Sequence, residues 1–524
     1  MAETAAPNSG EMKRSLTLTG VTVNAMALIA PGAFLWTTFQ AQAALSKSGV
    51  STASDMWTGL LFSLILALLT AYSYSELARI YPDAGTGSSY YFAEAALLDK
   101  ASPAHRRWAR FSKLSVGWIS HLYYWIYPGI MVAFTATLFG YIWSALFNST
   151  LSYIALGVIA VVFAFVTGYI AFRGITGSTM VSIVILVIQI VSLVSISVLF
   201  IVYRIGNPHA MYELSGFQHV LIPHSFINTL YQSTIAILLL VGFESVTALG
   251  AEAIHPEKDI KRAVLISLII QGGFCYLFQY FAANYAIGKT TLPASVVAGA
   301  HVGGGYAGAA VNSAPIGTML TTIGNQSLAQ SGTAISVVVA FTVLIALIGT
   351  TLACLNTGVR VTYSMAKDKE MPGILGLLHG KFATPHAGIW ILVSISAVLG
   401  VFGANPHQVD NLTQITLASN TGTFLVYGFT CMIAIVAFAS RHDKHPVKHF
   451  LIPGIGALMN IAELLGVIYI AITGSGTSPG DAYKALGVVI LWCVIGIVWV
   501  TANPNMRGKK VLHDPGKRDA VPVT

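Results

Sequence analysis

The sequence predicts an all-α membrane protein with twelve transmembrane helices. Hydrophobic residues make up 55% of the 524 positions, charged residues make up only 9%, and the mean hydropathy is +0.72. The core of a soluble domain cannot bury so large an apolar fraction. Apolar stretches of about 20 residues, the length that crosses a bilayer as a helix, recur along the whole chain. We place them at 18–44, 56–80, 114–145, 151–172, 179–203, 226–254, 262–288, 330–366, 385–404, 412–439, 451–473 and 483–502.

The distribution of basic residues predicts the orientation in the membrane. All but four of the 28 Lys and Arg residues lie before the first span or after an even-numbered span. The four exceptions are Lys47, Arg204, Lys289 and Lys484. Under the positive-inside rule this asymmetry puts both termini in the cytoplasm, and we expect a bacterial plasma (inner) membrane. The net charge of +8 therefore requires no nucleic acid, and the lipid bilayer is the expected partner.

Neither a cofactor nor a metal site is expected. The four cysteines all fall within spans and lack the paired spacing of zinc ligands: Cys275, Cys354, Cys431 and Cys493. An intramembrane enzyme would need clustered His, Asp or Glu ligands or an activated Ser, and nearly all of the 14 histidines lie in loops. We therefore expect no catalytic residue and no enzyme. Residues 1–15 and 506–524 are expected to be short cytoplasmic tails, and the polar start argues against a cleavable signal peptide.

The first span contains a proline near its midpoint, in the stretch IAPGAFLW. Pro31 has no N–H to donate, and it disfavours a helical conformation at Ala30. The span should therefore divide into two half-helices. The N–H groups of Gly32 and Ala33 would be unpaired at a positive helix end, which favours an anionic group. The alternative is a simple kink whose backbone groups are satisfied by neighbouring helices.

The sixth span contains a second irregular site, in the stretch LLLVGFESVTALGAE. Gly242 interrupts an aliphatic run at about the depth of Pro31, and Glu244 follows it. Val241 and Phe243 flank the glycine, so their backbone groups are expected to face the same site. Two interrupted helices that meet near the midplane are typical of secondary transporters.

The positions of the two interruptions also predict an inverted repeat. Each interrupted span is the first of a group of five, and because five is odd, the second group enters the membrane from the opposite side. We expect the first repeat at 16–204 and the second at 205–440. Helices 11 and 12 then follow at 441–505.

Three longer motifs resemble those of a known family. They are TAYSYSELARIYPDAGTGSSYYFAEA (70–95), VGFESVTALGAEAIHPEKDIKRAV (241–264) and ACLNTGVRVTYSMAKDKEMPGIL (353–375). Together with the first span they resemble the amino acid–polyamine–organocation (APC) superfamily, in its amino acid permease-like branch. The resemblance implies a LeuT-like fold with a five-plus-five inverted repeat and two further helices. It also implies secondary active transport of an amino acid or small organic amine by alternating access. A polyamine-specific or amine-specific exchanger and a channel-like facilitator are the alternatives.

Glu244 is the acidic residue with the strongest indication of function. It lies deep in the bilayer, where an isolated charge is costly, and no span carries a Lys or Arg near mid-depth. Its carboxyl group could cap the following half-helix, accept a substrate ammonium group, or carry a proton. The arginine/agmatine-type exchangers of the superfamily have a glutamate at the matching place, and this resemblance implies a proton or cation role.

Several positions depart from the family pattern. The usual Gly-Ser-Gly signature of the first helix corresponds to Ala30, Pro31 and Gly32, and this argues against a strict α-amino-acid specificity. A coupling lysine of the cationic amino acid branch is replaced by Gln189. The gating tryptophans of the exchangers align with Leu238 and Cys354. We assign Gln189, Leu238 and Cys354 to coupling, gating or the substrate site.

Other side chains complete the predicted site. Tyr124 and Tyr127 are three residues apart on one face of span 3, and Asn420 in span 10 could line the substrate path. The hydroxyl groups of Thr350 and Thr351 could bind sodium, which prefers oxygen ligands. The candidate coupling ions are thus a proton and, as the alternative, sodium. Glu463 in span 11 has no explanation from the sequence, and the sequence does not indicate an oligomeric state.

Overall fold

The computed structural model describes residues 16–28, 33–81, 88–98, 103–174, 179–249, 253–297, 300–405, 410–473 and 478–502. Nineteen α-helices cover most of these residues. In chain order they are α1 (Leu18–Leu28), α2 (Ala33–Ala43), α3 (Met56–Ile80), α4 (Ser89–Leu98), α5 (Pro103–Tyr124), α6 (Tyr127–Phe147), α7 (Tyr153–Phe172), α8 (Thr179–Gly206), α9 (Phe217–Leu221), α10 (Phe226–Ala236), α11 (Pro256–Ser267), α12 (Leu277–Ala286), α13 (Tyr306–Val311), α14 (Pro315–Ser327), α15 (Gly332–Lys367), α16 (His386–Gly403), α17 (Asp410–Ala439), α18 (Ile452–Thr473) and α19 (Ser478–Ala502).

Shorter elements connect or extend these helices. Short 3₁₀ helices occur at Ala53–Asp55, Ile237–Leu239, Phe243–Leu249 and Gly373–Gly376, and π-helical turns occur at Leu268–Tyr276 and Val447–Leu451. Two antiparallel hairpins lie in the loops. The first pairs β1 (Ser46–Lys47) with β2 (Val50–Ser51), and the second pairs β3 (Ser295–Val297) with β4 (Ala300–Val302).

Ten helical segments of the described residues are long and apolar enough to cross a membrane. They are Ala53–Ile80, Trp108–Phe147, Tyr153–Phe172, Ile183–Gly206, Pro256–Ala286, Gly332–Lys367, His386–Gly403, Asp410–Ala439, Val447–Thr473 and Gly480–Ala502. All ten coincide with expected spans, so the prediction of an all-α, multi-pass membrane protein is confirmed. The two remaining expected spans are the first and the sixth, which were expected to be interrupted. The total of twelve helices and the inverted repeat stay predictions.

Burial varies strongly among the spans. About two thirds (67%) of the most apolar window of α17 is buried inside the protein, against 17% for α19. The α17 helix is therefore central, with α3, α5, α18 and α19 packed around it. Most exposed side chains of α19 are apolar, for example Ile490, Leu491 and Ile497, as expected for a helix that faces lipid.

Span 3 is divided into α5 and α6. The division lies at Trp125 and Ile126, directly before Tyr127 and Pro128 at the start of α6. A proline suits the first turn of a helix but cannot continue a preceding one. The division lies beside the interrupted sixth span, because the Tyr127 hydroxyl group bonds to the Leu238 carbonyl oxygen.

Candidate functional site

The sixth span is interrupted at Gly242. The helix α10 ends at Ala236, the 3₁₀ turn Ile237–Leu239 follows, and a second 3₁₀ helix begins at Phe243. Gly242 has φ of +118°, a backbone conformation that residues with a Cβ rarely adopt. The neighbouring side chains of Val241 and Phe243 are buried. The chain thus changes direction inside the protein at a point that requires glycine.

The carboxyl group of Glu244 accepts three hydrogen bonds at this interruption. The backbone N–H of Gly242 donates to Oε2 at 3.0 Å, and the Tyr427 hydroxyl group donates to the same oxygen at 2.6 Å. The Tyr123 hydroxyl group donates to Oε1 at 2.5 Å. Glu244 itself is fully buried. A carboxylate is an acceptor only, and charge-assisted hydrogen bonds of this kind are the strong ones. Both carboxyl oxygens of Glu244 therefore have hydrogen-bond partners.

The three donors come from three different parts of the chain. Gly242 belongs to the interruption itself, so its contact is a local cap of the following turn. Tyr123 lies on α5 and Tyr427 lies on α17, and their contacts tie two surrounding helices to the same carboxyl group. Capping alone would not need these two distant hydroxyl groups.

Aromatic rings enclose this carboxyl group. Tyr74, Phe243 and Tyr427 contact one another edge to face or tilted, with ring centroids 5.2 to 6.0 Å apart. On the α5 side the rings of Tyr123 and Tyr124 lie with centroids 3.9 Å apart. The negative faces of such rings attract cations as well as apolar groups.

Tyr127 contacts the backbone of the interrupted span. Its hydroxyl group donates to the carbonyl oxygen of Leu238 at 3.2 Å and lies 3.5 Å from that of Val241. Tyr127 thus binds main-chain groups at the point where the helix is interrupted. The buried side chains of Leu238, Tyr124 and Cys354 belong to the same apolar core.

The predicted site residues of the first span lie mostly outside the described residues. This applies to Ala30, Pro31 and Gly32, while Ala33 begins α2. The two flanking helices are nevertheless positioned against the sixth span. The α1 helix packs on the Phe243–Leu249 turn, and the backbone of Leu16 accepts a hydrogen bond from Ile254 N–H at 3.0 Å. Described parts of the first and sixth spans are therefore neighbours.

Four further predicted residues make contacts between or within helices. Asn420 donates from Nδ2 to the carbonyl oxygen of Thr234 at 2.7 Å, which links α17 to α10. Gln189 donates from Nε2 to the Thr342 carbonyl oxygen at 3.1 Å, which links α8 to α15.

Thr350 and Thr351 bond to their own helix. Their hydroxyl groups donate to the carbonyl oxygens of Ala346 and Leu347 at 3.2 and 2.7 Å. This pattern is common for threonine in membrane helices, and a sodium-binding role for the pair stays a prediction. Within the described residues, no cluster of three or more His, Cys, Asp or Glu side chains could hold a metal ion.

The sequence interpretation missed Tyr123 and Tyr427. Tyr123 is four residues before Tyr127. This spacing places two residues on the same helix face, just as the spacing of three does for Tyr124 and Tyr127. Tyr427 is seven residues, or two turns, after Asn420 on α17. Each spacing places the tyrosine on the same helix face as a predicted site residue.

Comparison with known proteins is consistent with this architecture. The chain is 25% identical over 513 residues to the low-affinity putrescine importer PlaP of Escherichia coli (strain K12), covering 94% of this chain and 97% of that protein. It is 29% identical over 280 residues to the branched-chain amino acid permease BcaP of Lactococcus lactis subsp. cremoris, covering 52% and 50% of the two chains. It is 23% identical over 520 residues to BcaP of Bacillus subtilis, covering 94% of each.

The match to a protein family extends over almost the whole chain. Residues 20–511 match the amino acid permease family, which includes the interrupted sixth span and all ten membrane-crossing segments. The members compared above are transporters and not enzymes. The chain therefore belongs to the amino acid permease family of the APC superfamily and is a membrane transporter.

Proposed function

We propose that this permease is a secondary active transporter for an amino acid or a small organic amine. The substrate binds between the interrupted first and sixth spans, and access alternates between the two sides of the membrane. The observation that supports this most directly is the Glu244 carboxyl group, which is buried beside Gly242 and accepts three hydrogen bonds. Such a group offers a negative charge to a cationic substrate at the point where the helix is open.

The arrangement suits an ammonium group on the substrate. The carboxylate of Glu244 supplies the opposite charge, and the rings of Tyr74, Phe243 and Tyr427 supply apolar and cation–π contact. Putrescine and branched-chain amino acids, which the relatives' names give, each carry an amino group. If the substrate also has a carboxylate, the N–H groups of Gly32 and Ala33 are the candidates to bind it.

The remaining parts of the proposal concern the whole transporter. Residues 16–204 and 205–440 form the two inverted repeats, followed by helices 11 and 12 at 441–505. The protein lies in the bacterial inner membrane with both termini in the cytoplasm, as the basic loops indicate. The coupling ion is a proton, and sodium at Thr350 and Thr351 is the alternative to test.

A ligand screen followed by counterflow tests this function. Purified protein is heated with putrescine, L-leucine, L-isoleucine, L-valine and other amino acids and amines, because a ligand of the folded state must raise its stability. Proteoliposomes loaded with the stabilising compound should then take up labelled compound faster than empty ones. No stabilising compound among amino acids and amines would contradict the substrate class. Uptake that is insensitive to internal substrate would favour a channel-like facilitator over a carrier.

Glu244→Gln tests the role of the carboxylate. We expect the variant to fold but to lose affinity for the amine and to change the pH dependence of transport. The matched control is Glu257→Gln, because Glu257 is exposed in the first turn of α11. An unchanged affinity and pH profile in Glu244→Gln would reduce Glu244 to a helix cap.

A further inference from the structure

Glu463 is a second fully buried carboxyl group in the membrane. It lies eleven residues into α18 (Ile452–Thr473), about 17 Å along a helix of 22 residues. In the described part of the chain it forms no ion pair, and its Oε2 has no hydrogen-bond partner. An unpaired charge at this depth is costly, so the neutral acid is the favoured form.

The hydrogen count at Ser233 is satisfied when Glu463 is neutral. Its Oγ lies 2.8 Å from the carbonyl oxygen of Leu230 and 2.5 Å from Oε1 of Glu463. Both neighbours are acceptors, while a serine hydroxyl group has one hydrogen to donate. With that hydrogen donated to Leu230, the contact with Glu463 becomes a hydrogen bond when Glu463 is protonated and its own O–H donates to Ser233.

The helices packed against α18 supply no charge that compensates Glu463. These neighbours are α3, α10, α17, α19 and the turn Val447–Leu451. None of their described titratable side chains bonds to Glu463. Those side chains are Tyr72, Tyr74, Glu76 and Arg79 on α3, Tyr231 on α10, Asp410, Tyr427 and Cys431 on α17, Asp481, Tyr483, Lys484 and Cys493 on α19, and Lys448 and His449 in the turn.

The other buried carboxyl group differs in this respect. Glu244 receives hydrogens from Gly242, Tyr123 and Tyr427 and needs none of its own. Among the described residues, Glu463 can accept only the hydroxyl hydrogen of Ser233, for which the Leu230 carbonyl oxygen is a second acceptor. Of the two, Glu463 is the one to which a bound proton adds a hydrogen bond.

The contact of Glu463 is made to the helix that leads into the candidate substrate site. Ser233 lies on α10, three residues before its end at Ala236. The same stretch is held by α3 through Ser63 Oγ, which donates to the Ser233 carbonyl oxygen at 3.1 Å, and by α17 through Asn420. Ionisation of Glu463 would add a buried charge beside α10 and would leave the single hydrogen of Ser233 shared between two acceptors, the Leu230 carbonyl oxygen and the carboxylate.

We propose that Glu463 is the proton-binding site that couples proton movement to the position of α10. The protonated form suits the present packing of α10 against α18, and loss of the proton places an uncompensated charge between these helices that favours a different packing. The coupling role rests on the transport function proposed above. The inference that Glu463 binds a proton is supported by its burial and by the contacts of Ser233, and it does not depend on the identity of the substrate.

Infrared difference spectroscopy tests proton binding directly. The purified protein is titrated between acidic and alkaline pH, and the carbonyl stretch of protonated carboxyl groups is recorded. We expect the wild type and Glu257→Gln to show an acid band at neutral pH that Glu463→Gln lacks. Ser233→Ala should keep this band but shift its frequency, because the hydrogen bond is lost. A Glu463→Gln spectrum identical to that of the wild type, or no shift in Ser233→Ala, would overturn the proposal.

Transport measurements test the coupling separately. In proteoliposomes with an imposed pH gradient, wild-type accumulation of the compound found in the ligand screen should exceed that without a gradient by about 5-fold or more. Glu463→Gln mimics the protonated form, so it should keep counterflow but lose the gradient-driven gain. A full gradient-driven gain in Glu463→Gln would overturn the coupling. If the wild type transports none of the probes, the proposed function fails while the infrared result still decides proton binding.

Discussion

Gln42 and Gln232 each donate a side-chain amide hydrogen to the backbone carbonyl oxygen of the other. The two N···O distances are 3.2 and 3.0 Å, and both residues are fully buried. Tyr280 additionally donates to Oε1 of Gln42 at 2.7 Å, and Gln232 donates to Oγ1 of Thr52 at 2.8 Å. This reciprocal pair joins α2 of the first span to α10 of the sixth. One half of each predicted broken helix therefore forms a single unit.

Replacing Gln42 by alanine should destabilise the protein. The variant removes a donor and leaves buried polar groups of Gln232 and Tyr280 without their partner, which costs about 1–3 kcal/mol. We expect a lower melting temperature in detergent, whereas Gln218→Ala, at an exposed position, should change it little. The double variant Gln42→Ala/Gln232→Ala should lose less than the sum of the two single variants. Additive losses would show that the reciprocal pair does not act as a unit.

Gly242 should not tolerate a side chain. Its φ of +118° is unfavourable for any residue with a Cβ, so Gly242→Ala should cost about 1–2 kcal/mol or reshape the interruption. Substrate binding should be lost in the ligand thermal-shift assay. The matched control is Gly487→Ala on α19, where an added Cβ meets no atom within 4 Å. Equal ligand binding in both variants would mean that the interruption is not needed for the site.

The two tyrosines that donate to Glu244 should contribute to amine affinity. Tyr123→Phe and Tyr427→Phe each remove one hydrogen bond to a charged group, which is worth about 1.5–3 kcal/mol. We expect roughly tenfold or greater loss of affinity in each case, because the Glu244 carboxyl group loses a hydrogen bond that fixes its position. Tyr483→Phe is the control, since Tyr483 is exposed on α19. Unchanged affinity in both site variants would remove Glu244 from the substrate site.

Most of the fold could be predicted from hydropathy because the bilayer imposes it. All ten continuous spans follow from apolar length alone, and the interruption at Gly242 follows from a glycine within an aliphatic run. The site was predictable only where one residue type dictates the chemistry, as for Glu244. Its partners Tyr123 and Tyr427 are brought together by the packing of α5 and α17, which are about 300 residues apart in the chain, and no local pattern encodes this meeting.

The partner of Glu463 likewise could not be predicted from the sequence. A glutamate inside an apolar span has no explanation from the sequence alone, and no pattern in the chain identifies its partner. Ser233 lies on α10, 230 positions away, and only the packing of α18 against α10 brings the two together. A single polar residue in a membrane helix thus predicts that a partner exists without identifying it.

A buried ionic cluster joins the ends of several helices outside the membrane-crossing part of α15. The Nζ atom of Lys113 on α5 lies 2.8 Å from Glu94 Oε2 and 2.7 Å from Asp368 Oδ2. The Tyr90 hydroxyl oxygen lies 2.8 Å from both Asp368 Oδ2 and Glu370 Oε2, although it has one hydrogen to donate. Glu370 is fully buried and forms no ion pair in the described residues. Burial raises the pKa of Glu370 from 4.5 to about 8, against the opposing effect of Lys113.

This raised pKa predicts how stability depends on pH. The folded protein keeps the Glu370 proton to about pH 8, whereas the unfolded chain releases it near pH 4.5. The Glu370 contribution to stability is therefore complete below pH 4.5 and decreases as the pH rises towards 8, by at most about 1.4 kcal/mol per pH unit.

Glu370→Gln is neutral at every pH and lacks this dependence. Melting temperatures of the two proteins should consequently diverge between pH 5.5 and 8, with the variant gaining relative to the wild type, while Glu257→Gln should parallel the wild type. Parallel curves for Glu370→Gln and the wild type would show that Glu370 is already ionised in the folded protein at neutral pH.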